Sequence, residues 1–174
     1  MRNLITLPHR LDRSLNTCRA IVETPQGSRS KYDYDEEADT FRLAAVLPAG
    51  MAFPLSFGFI PSTDAQDGDP LDVLFLSDEP LPTGILAEIQ LIGVIEAEQT
   101  EDDKTARNDR LLAKVLQSHS WADVDNAAQL GKAFAEDLTH FFETYNQLRG
   151  RTFERIRLAG PDEACALVAA QSRS

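Results

Sequence analysis

Three aspartates, Asp67, Asp69 and Asp72, lie within six residues of one another in the segment D-G-D-P-L-D-V-L. Gly68 permits a tight backbone course, and Pro70 biases the residue before it toward an extended conformation, so the first two aspartates can face the same side. Two such charges 4 Å apart repel by about 4 kcal/mol at an effective dielectric of ~20, and a half-buried cluster therefore needs a cation. Because oxygen-only ligands select Mg²⁺, Mn²⁺ or Ca²⁺, the segment predicts a divalent metal site.

Two other interpretations of this segment can be weighed. A solvated acidic turn before a strand is the first, and it would account for an isolated D-x-D. A calcium-binding EF-hand loop is the second. It is excluded, because Asp72 stands at its sixth position instead of glycine, a proline stands at its fourth, and an apolar strand follows where a helix should.

A second acidic stretch follows the long apolar run that ends near residue 98. Most of it is predicted to be a solvated hairpin loop, the usual fate of a charge run. Asp109 differs, because it immediately precedes an apolar run and so stands at a strand mouth, as Asp72 does. Two such aspartates from different hairpins can converge on one pair of metal ions.

The sequence pattern predicts strands in the first part of the chain and helices toward its end. Apolar residues recur at intervals of three and four over 130–148, which predicts a helix ended by Gly150, and Pro161 opens a shorter helix. Strands that precede a long helix indicate an α+β fold, with the helix packed on a small twisted sheet or barrel. The predicted strands cover 19–23, 31–35, 40–46, 72–76, 86–98 (with a bulge or bend at Gly93), 111–116 and 152–158.

Composition excludes several classes of protein. The chain has 174 residues, 43% of them hydrophobic, as expected of one globular domain over 1–174. Its net charge of −11 disfavours nucleic acid and anionic membranes as partners. Cys18 and Cys165 show neither disulfide nor zinc-site spacing. The N-terminus lacks a signal-peptide core, and the most apolar stretch, 85–97, falls short of the ~20 residues that span a bilayer, so we expect a cytoplasmic protein.

The heptapeptide D-G-D-P-L-D-V resembles the signature of the family I soluble inorganic pyrophosphatases, and the resemblance extends over residues 18–150. Further motifs similar to those of that family follow in order: E-T-P at 23–25, K-Y-D at 31–33, L-P-A-G-M-A-F-P at 47–54, F-G-F-I-P at 57–61, G-V at 93–94, Asp109, and F-F-x-x-Y at 141–145.

The resemblance implies a five-stranded, mostly antiparallel OB-like β-barrel flanked by a long and a short α-helix. It also implies Mg²⁺-dependent hydrolysis of diphosphate by a water held between metals, with several ions per site, Mn²⁺ as an alternative, and a homo-oligomer, a hexamer in bacteria. Such an attack needs no Ser or Cys nucleophile. Two other functions stay open: hydrolysis of another phosphoanhydride, a nucleotide or polyphosphate, and metal binding by an oligomeric protein without turnover.

Site residues are carried over by motif. Asp69 resembles the general base, and Glu23, an outer carboxylate of the cleft, is grouped with it as catalytic. The expected metal ligands are Asp67, Asp72, Asp109 and the outer carboxylate Asp33. Lys31 and Tyr145 resemble residues that touch a phosphate.

The chain departs from the family pattern mainly among the phosphate-binding residues. Where the family has an arginine, this chain has Ala44 or Ala45, with Arg42 nearby. Phe57 stands in place of a tyrosine, and Leu111 and Asn146 stand in place of two lysines. Arg149 and Arg151 are candidates to replace the missing donors, because arginine binds phosphate as a planar fork. The alternative for both is a solvated charge at a helix end.

A further metal-binding aspartate of the family cannot be placed uniquely in the longer acidic loop. Direct counting from Gly93 falls on Gln99, so Glu98 is taken as the ligand, with Glu101 and Asp102 as alternatives.

Overall fold

Residues 3–173, which the computed structural model describes, form nine β-strands, two α-helices and two short 3₁₀ helices. The strands are β1 Thr17–Thr24, β2 Ser30–Asp35, β3 Thr40–Val46, β4 Ser56–Ile60, β5 Leu71–Leu76, β6 Leu86–Glu101, β7 Lys104–Arg107, β8 Arg110–Val115 and β9 Thr152–Ala159. The helices are α1 Lys132–Gln147 and α2 Pro161–Gln171, and the 3₁₀ helices are Leu4–Thr6 and Ala127–Leu130.

Five strands close into a ring in the order β1-β4-β5-β8-β6, because β6 pairs back onto β1. Four of the five pairings are antiparallel, and β5 with β8 is parallel. Strands β7 and β9 both extend β6, and β2 with β3 forms a separate hairpin. The predicted α+β fold with a five-stranded barrel is confirmed.

Strand β6 pairs with four strands, β1, β7, β8 and β9, because it is 16 residues long and changes register partway. The shift in its pairing with β8 falls between Leu91 and Gly93, as the bend predicted there requires. A Cβ atom on Gly93 would lie 2.5 Å from the Ala127 side chain and 2.6 Å from the carbonyl oxygen of Ala159. Glycine is therefore needed for close packing of the chain at this bend.

The core consists of two clusters of buried side chains. Helix α1 covers one of them with Leu138, Phe142 and Tyr145, and α2 covers the other with Cys165 and Val168. Both cysteines are free and buried. The apolar face predicted for the long helix packs on the barrel through Leu138, Phe142 and Tyr145, whereas Leu148 at its end is exposed. Helix α1 lies against β9, and its Phe142 ring packs near Phe57 of β4.

Two strands were missed in the sequence, and several predicted boundaries differ from those of the structure by one to three residues. Strand β4, Ser56–Ile60, is buried at every residue and so lacks an alternating pattern. The acidic stretch forms an ordered hairpin, in which Asp102 and Asp103 adopt positive φ at the turn between β6 and β7. The long helix begins at Lys132, after a 3₁₀ turn. Within the described residues, no helix is both long and apolar enough to cross a membrane.

Candidate active site

A cleft of about 300 Å³ opens where the end of β1, the β2–β3 hairpin, the starts of β5 and β8 and the C-terminal end of α1 meet. Its described lining contains as many carboxylates as cations. The carboxylates are Glu23, Asp33, Asp67, Asp69 and Asp72, and the cations are Lys31, Arg42, Arg110, Arg149 and Arg151. The cleft therefore brings together nearly all of the site residues predicted from the sequence.

The acidic turn before β5 is held by its own backbone. The Ala65 N–H donates to the carbonyl oxygen of Asp69 at 2.7 Å, and the Asp69 N–H donates to Asp67 Oδ1 at 3.1 Å. Gly68 takes a φ of 87°, which favours glycine. This course places both carboxylates in the cleft, as the spacing of the sequence predicted.

The register between β5 and β8 sets the position of Asp72. In the parallel pairing of β5 with β8 it stands directly beside Arg110, and Arg110 Nη1 lies 2.7 Å from Asp72 Oδ2. Burial raises the pKa of the Asp72 carboxyl, although Arg110 and Lys31 act in the opposite direction. The positive charges of Arg110 and Lys31 thus offset part of the cost of burying the Asp72 carboxylate.

Glu23 is the most deeply buried acid of the cleft. Its Oε1 accepts a hydrogen bond from the Tyr34 N–H at 2.8 Å, and the residue is 9% exposed. Burial raises the pKa of the Glu23 carboxyl to about 8, with the nearby charge of Asp33 adding to the effect. At neutral pH, without a cation, this group is mostly protonated.

On the facing wall, Lys31 donates a hydrogen bond to Asp33 two residues further along β2. Burial alone would lower the pKa of Lys31, but Tyr145, Asp33 and Glu23 raise it overall, so the lysine stays charged. From the end of α1, Arg149 Nη1 donates to Tyr145 Oη at 2.7 Å. These donors surround the space that an anion would occupy.

The donor chemistry of the cleft fits a hard divalent cation. Its ligands would be carboxylate oxygens, and burial together with the charges of Asp67 and Asp33 raises the pKa of Asp69. An added positive charge would relieve this crowding. No three acidic, histidine or cysteine side chains among residues 3–173 already stand around one point as a closed cage.

Asp109 and Glu98 lie elsewhere. Asp109 Oδ1 accepts from the Ala97 N–H at 3.0 Å and from Arg107 Nη2 at 2.9 Å, and it lines an adjoining cavity of about 250 Å³ that Asp67 and Asp72 also line. Glu98 does not line the cleft, whereas the next residue of β6, Gln99, does, because successive side chains of a strand face opposite sides.

Sequence reasoning missed three residues of the cleft: Arg110, Asn108 and Gln99. Asn108 Nδ2 donates to Gln99 Oε1 at 2.6 Å, and Arg110 in turn donates to Asn108 Oδ1. Counting from Gly93 falls on Gln99, but the sequence prediction takes the neighbouring acid Glu98 as the ligand. An arginine at the first position of an apolar strand was the available signal for Arg110. Arg151, which was predicted, lies 2.9 Å from Glu101 through its Nε.

Comparison with known proteins agrees with this geometry. The family model described as inorganic pyrophosphatase matches residues 20–174. An inorganic pyrophosphatase of Thermus thermophilus is 32% identical over 160 residues, which are 92% of this chain and 89% of that protein. One of Saccharolobus solfataricus is 36% identical over 137 residues, 78% of this chain and 77% of that protein.

The fold matches as well as the sequence. A crystal structure of inorganic pyrophosphatase from Thermus thermophilus superposes with a TM-score of 0.88 at 30% identity, covering 97% of this chain and 96% of that one. The family model spans both the acidic turn and the end of α1, so it includes every residue that lines the cleft except Ile5. The chain belongs to the inorganic pyrophosphatase family.

Proposed function

We propose that this cleft hydrolyses inorganic diphosphate to two phosphates, with Mg²⁺ as the divalent cation and Mn²⁺ as an alternative. Membership of the family makes the chain an inorganic diphosphatase. The observation that carries the assignment to this cleft is the convergence of five carboxylates and five cations around about 300 Å³. Carboxylates alone would repel a diphosphate, and cations alone would not hold a metal.

The proposed metal ligands are Asp67, Asp72 and Asp33 in the cleft, with Asp109 reaching an ion from the adjoining cavity that Asp67 and Asp72 share with it. Bound divalent cations would neutralise the substrate and lower the pKa of a bound water. Support for these ligands is their oxygen chemistry and their position, because Asp67 and Asp72 border both cavities.

Asp69 is the proposed general base. Its carboxylate lies at the mouth of the cleft beside Asp67, and burial raises its pKa toward the range in which it can accept a proton from water. Glu23 stands deeper and holds the backbone of β2 through Tyr34. We assign it a positioning role behind Lys31 and Asp33.

The proposed phosphate donors are Lys31, Tyr145 and Arg149, together with Arg42, which faces the cleft from β3 opposite Asp33. Arg42 thus takes up part of the role of the arginine that the family pattern places a few residues later. Arg151 lines the cleft but is also engaged with Glu101, so its contribution is smaller.

A phosphate-release assay tests the proposal. With millimolar Mg²⁺ between pH 7 and 9, diphosphate should give two phosphates per molecule, and EDTA should stop the reaction. A nucleoside triphosphate and a polyphosphate serve as comparison substrates and should be turned over more slowly. No release from diphosphate with either Mg²⁺ or Mn²⁺ would overturn the assignment.

The quaternary structure and compartment are also proposed on the family resemblance: a cytoplasmic homo-oligomer, a hexamer in the bacterial case. The exposed apolar side chains of Leu43 and Val46 on β3 are consistent with a contact between subunits. Light scattering coupled to gel filtration should give a mass that is a multiple of the chain mass, and a monomer at micromolar concentration would contradict this.

A further inference from the structure

Arg110 is a buried cation in the wall of the cleft. It is the first residue of β8, and the parallel register with β5 sets it beside Asp72, with Nη1 2.7 Å from Asp72 Oδ2. The arginine side chain is 6% exposed. Within the described residues, Asp72 is the one carboxylate that forms an ion pair with this guanidinium.

The guanidinium is held on its other sides as well. Its Nη1 donates to the amide oxygen of Asn108, and its Nε is buried without a hydrogen-bond partner. Three aromatic rings lie around its Cζ, which is 5.9 Å, 5.1 Å and 5.9 Å from the ring centroids of Phe57, Phe142 and Phe153. Cation–π contacts of this kind favour a desolvated guanidinium. The guanidinium is thus enclosed by Asp72, Asn108 and the three aromatic rings.

The other neighbours of Arg110 on this wall are neutral. Asn108 passes the hydrogen-bond network on to Gln99, and an amide adds no negative charge. The positive charge of Arg110 is therefore balanced locally by Asp72.

A fixed cation beside a carboxylate affects cations and anions in opposite ways. A divalent ion on either oxygen of Asp72 would lie a few ångströms from the guanidinium, and like charges at that separation repel strongly in a half-buried site. An anionic substrate is attracted by the same charge. Binding of metal and of anion is therefore coupled through Arg110, and such coupling is reciprocal.

We propose that Arg110 is a positioning residue that acts as a resident cation on Asp72, so that the free enzyme binds a divalent ion at Asp72 weakly and fills that position only together with an anionic substrate. This inference rests on the proposed function in one respect, namely that Asp72 is a metal ligand during turnover. The proposal predicts weaker metal binding than in a site where no cation is paired with the Asp72 carboxylate.

The test is a double-mutant cycle read out by Mn²⁺ binding to the substrate-free protein, measured by equilibrium dialysis and electron paramagnetic resonance. Arg110→Met should tighten Mn²⁺ binding by about tenfold or more, because it removes the competing charge and leaves an apolar group among the phenylalanine rings. Adding Asp72→Asn to that variant should abolish the gain. In the otherwise unchanged protein, Asp72→Asn should weaken Mn²⁺ binding by only about threefold or less.

Arg149→Met is the matched control. It also removes one positive charge from the cleft, but among residues 3–173 Arg149 bonds to Tyr145 and pairs with no carboxylate, so it should change Mn²⁺ affinity by less than about threefold. Arg110→Lys keeps the charge and should stay close to the unchanged protein. Circular dichroism and the melting temperature establish which variants are folded.

The inference is overturned if folded Arg110→Met binds Mn²⁺ no more tightly, or if the gain persists without the Asp72 carboxylate. If Arg110→Met does not fold, Asp72→Asn alone decides: a loss of Mn²⁺ affinity above about thirtyfold would show that Asp72 already holds the ion in the free enzyme. Because no arm uses hydrolysis, failure of the phosphate-release assay with the expected Mn²⁺ cycle would refute the proposed function and leave standing only that Arg110 weakens metal binding at Asp72 in the free protein.

Discussion

At the scale of single residues, two aspartates that look equivalent in the sequence have different surroundings in the structure. Asp72 and Asp109 both stand at strand mouths, yet Asp72 lines the cleft beside Arg110, whereas Asp109 is held by Arg107 and the Ala97 N–H. The carboxylate that faces the substrate space should matter more for turnover than the one that is already engaged by protein donors.

Asp72→Asn should accordingly lower kcat by about 100-fold or more, because an amide replaces a proposed metal ligand at similar volume. Asp109→Asn is its matched control and should cost less. Steady-state phosphate release at saturating Mg²⁺ measures both, and circular dichroism checks the fold. Near-normal turnover by Asp72→Asn would refute its role. A loss in Asp109→Asn as large as that in Asp72→Asn would show that Asp109 leaves Arg107 during turnover.

The two arginines after α1, Arg149 and Arg151, also differ in their partners and so in their expected contribution to substrate binding. Arg149 donates to a phenol and keeps its other nitrogens for a ligand, whereas Arg151 lies against Glu101. Arg149→Ala should raise KM for diphosphate by about tenfold, the value of one charge-assisted hydrogen bond, with a smaller change in kcat. Arg151→Ala should raise KM by less. Equal KM values for Arg149→Ala and the unchanged enzyme would mean that Arg149 is a solvated helix-end charge.

At the scale of elements, the barrel depends on a close approach of two backbones. A Cβ atom built on Gly58 of β4 would lie 1.9 Å from the carbonyl oxygen of Ile21 on β1. Backbone atoms cannot give way as a flexible side chain can, so the two strands would have to separate where their antiparallel pairing closes the ring.

Gly58→Ala should therefore destabilise the protein by about 3 kcal/mol or more, measured as the free energy of unfolding in urea. Gly160→Ala is the control, since Gly160 has ordinary φ and its nearest neighbours are side-chain atoms 3.4 Å away; it should cost under about 1 kcal/mol. A Gly58→Ala protein as stable as the control would contradict the close packing of β1 against β4.

The same scale explains what could be predicted from the sequence. The three-to-four spacing in α1 was sufficient because the helix buries one face. Strand β2 was found from its alternating sequence, although it is half-buried at every residue. Strand β4 was missed because it is buried throughout and has glycine at its centre, and β7 because its four residues are mostly polar. The acidic turn was predictable because its geometry is local. The Asp72–Arg110 pair was not, because it follows from the register of two strands far apart in sequence.

At the scale of the whole molecule, charge is distributed unevenly. The chain carries a net charge of −11, yet the described lining of the cleft is balanced between carboxylates and cations. The excess negative charge therefore lies outside the cleft, where it does not oppose a bound diphosphate directly. Some of the acids that line the cleft are buried, and their burial affects the stability of the fold.

Glu23 shows that consequence most clearly, because its pKa rises from 4.5 to about 8 in the fold. An acid with a raised folded pKa binds more protons in the folded state than in the unfolded state, so stability decreases as pH rises between the two values. The loss between about pH 4.5 and 8 amounts to at most about 5 kcal/mol for this one group. Asp69 and Asp72, whose pKa values are also raised, act in the same direction.

We therefore expect the metal-free protein, kept in EDTA, to lose unfolding free energy steadily from pH 5 to pH 8. Glu23→Gln should flatten this dependence, because its amide oxygen can still accept the hydrogen bond from the Tyr34 N–H while carrying no charge to desolvate. Urea titrations at four or five pH values measure both proteins. A stability that rises toward pH 8 in EDTA, or an equally steep decline in Glu23→Gln, would mean that this carboxyl is charged and solvated in the fold, and that the cleft does not need a cation to hold its acids together.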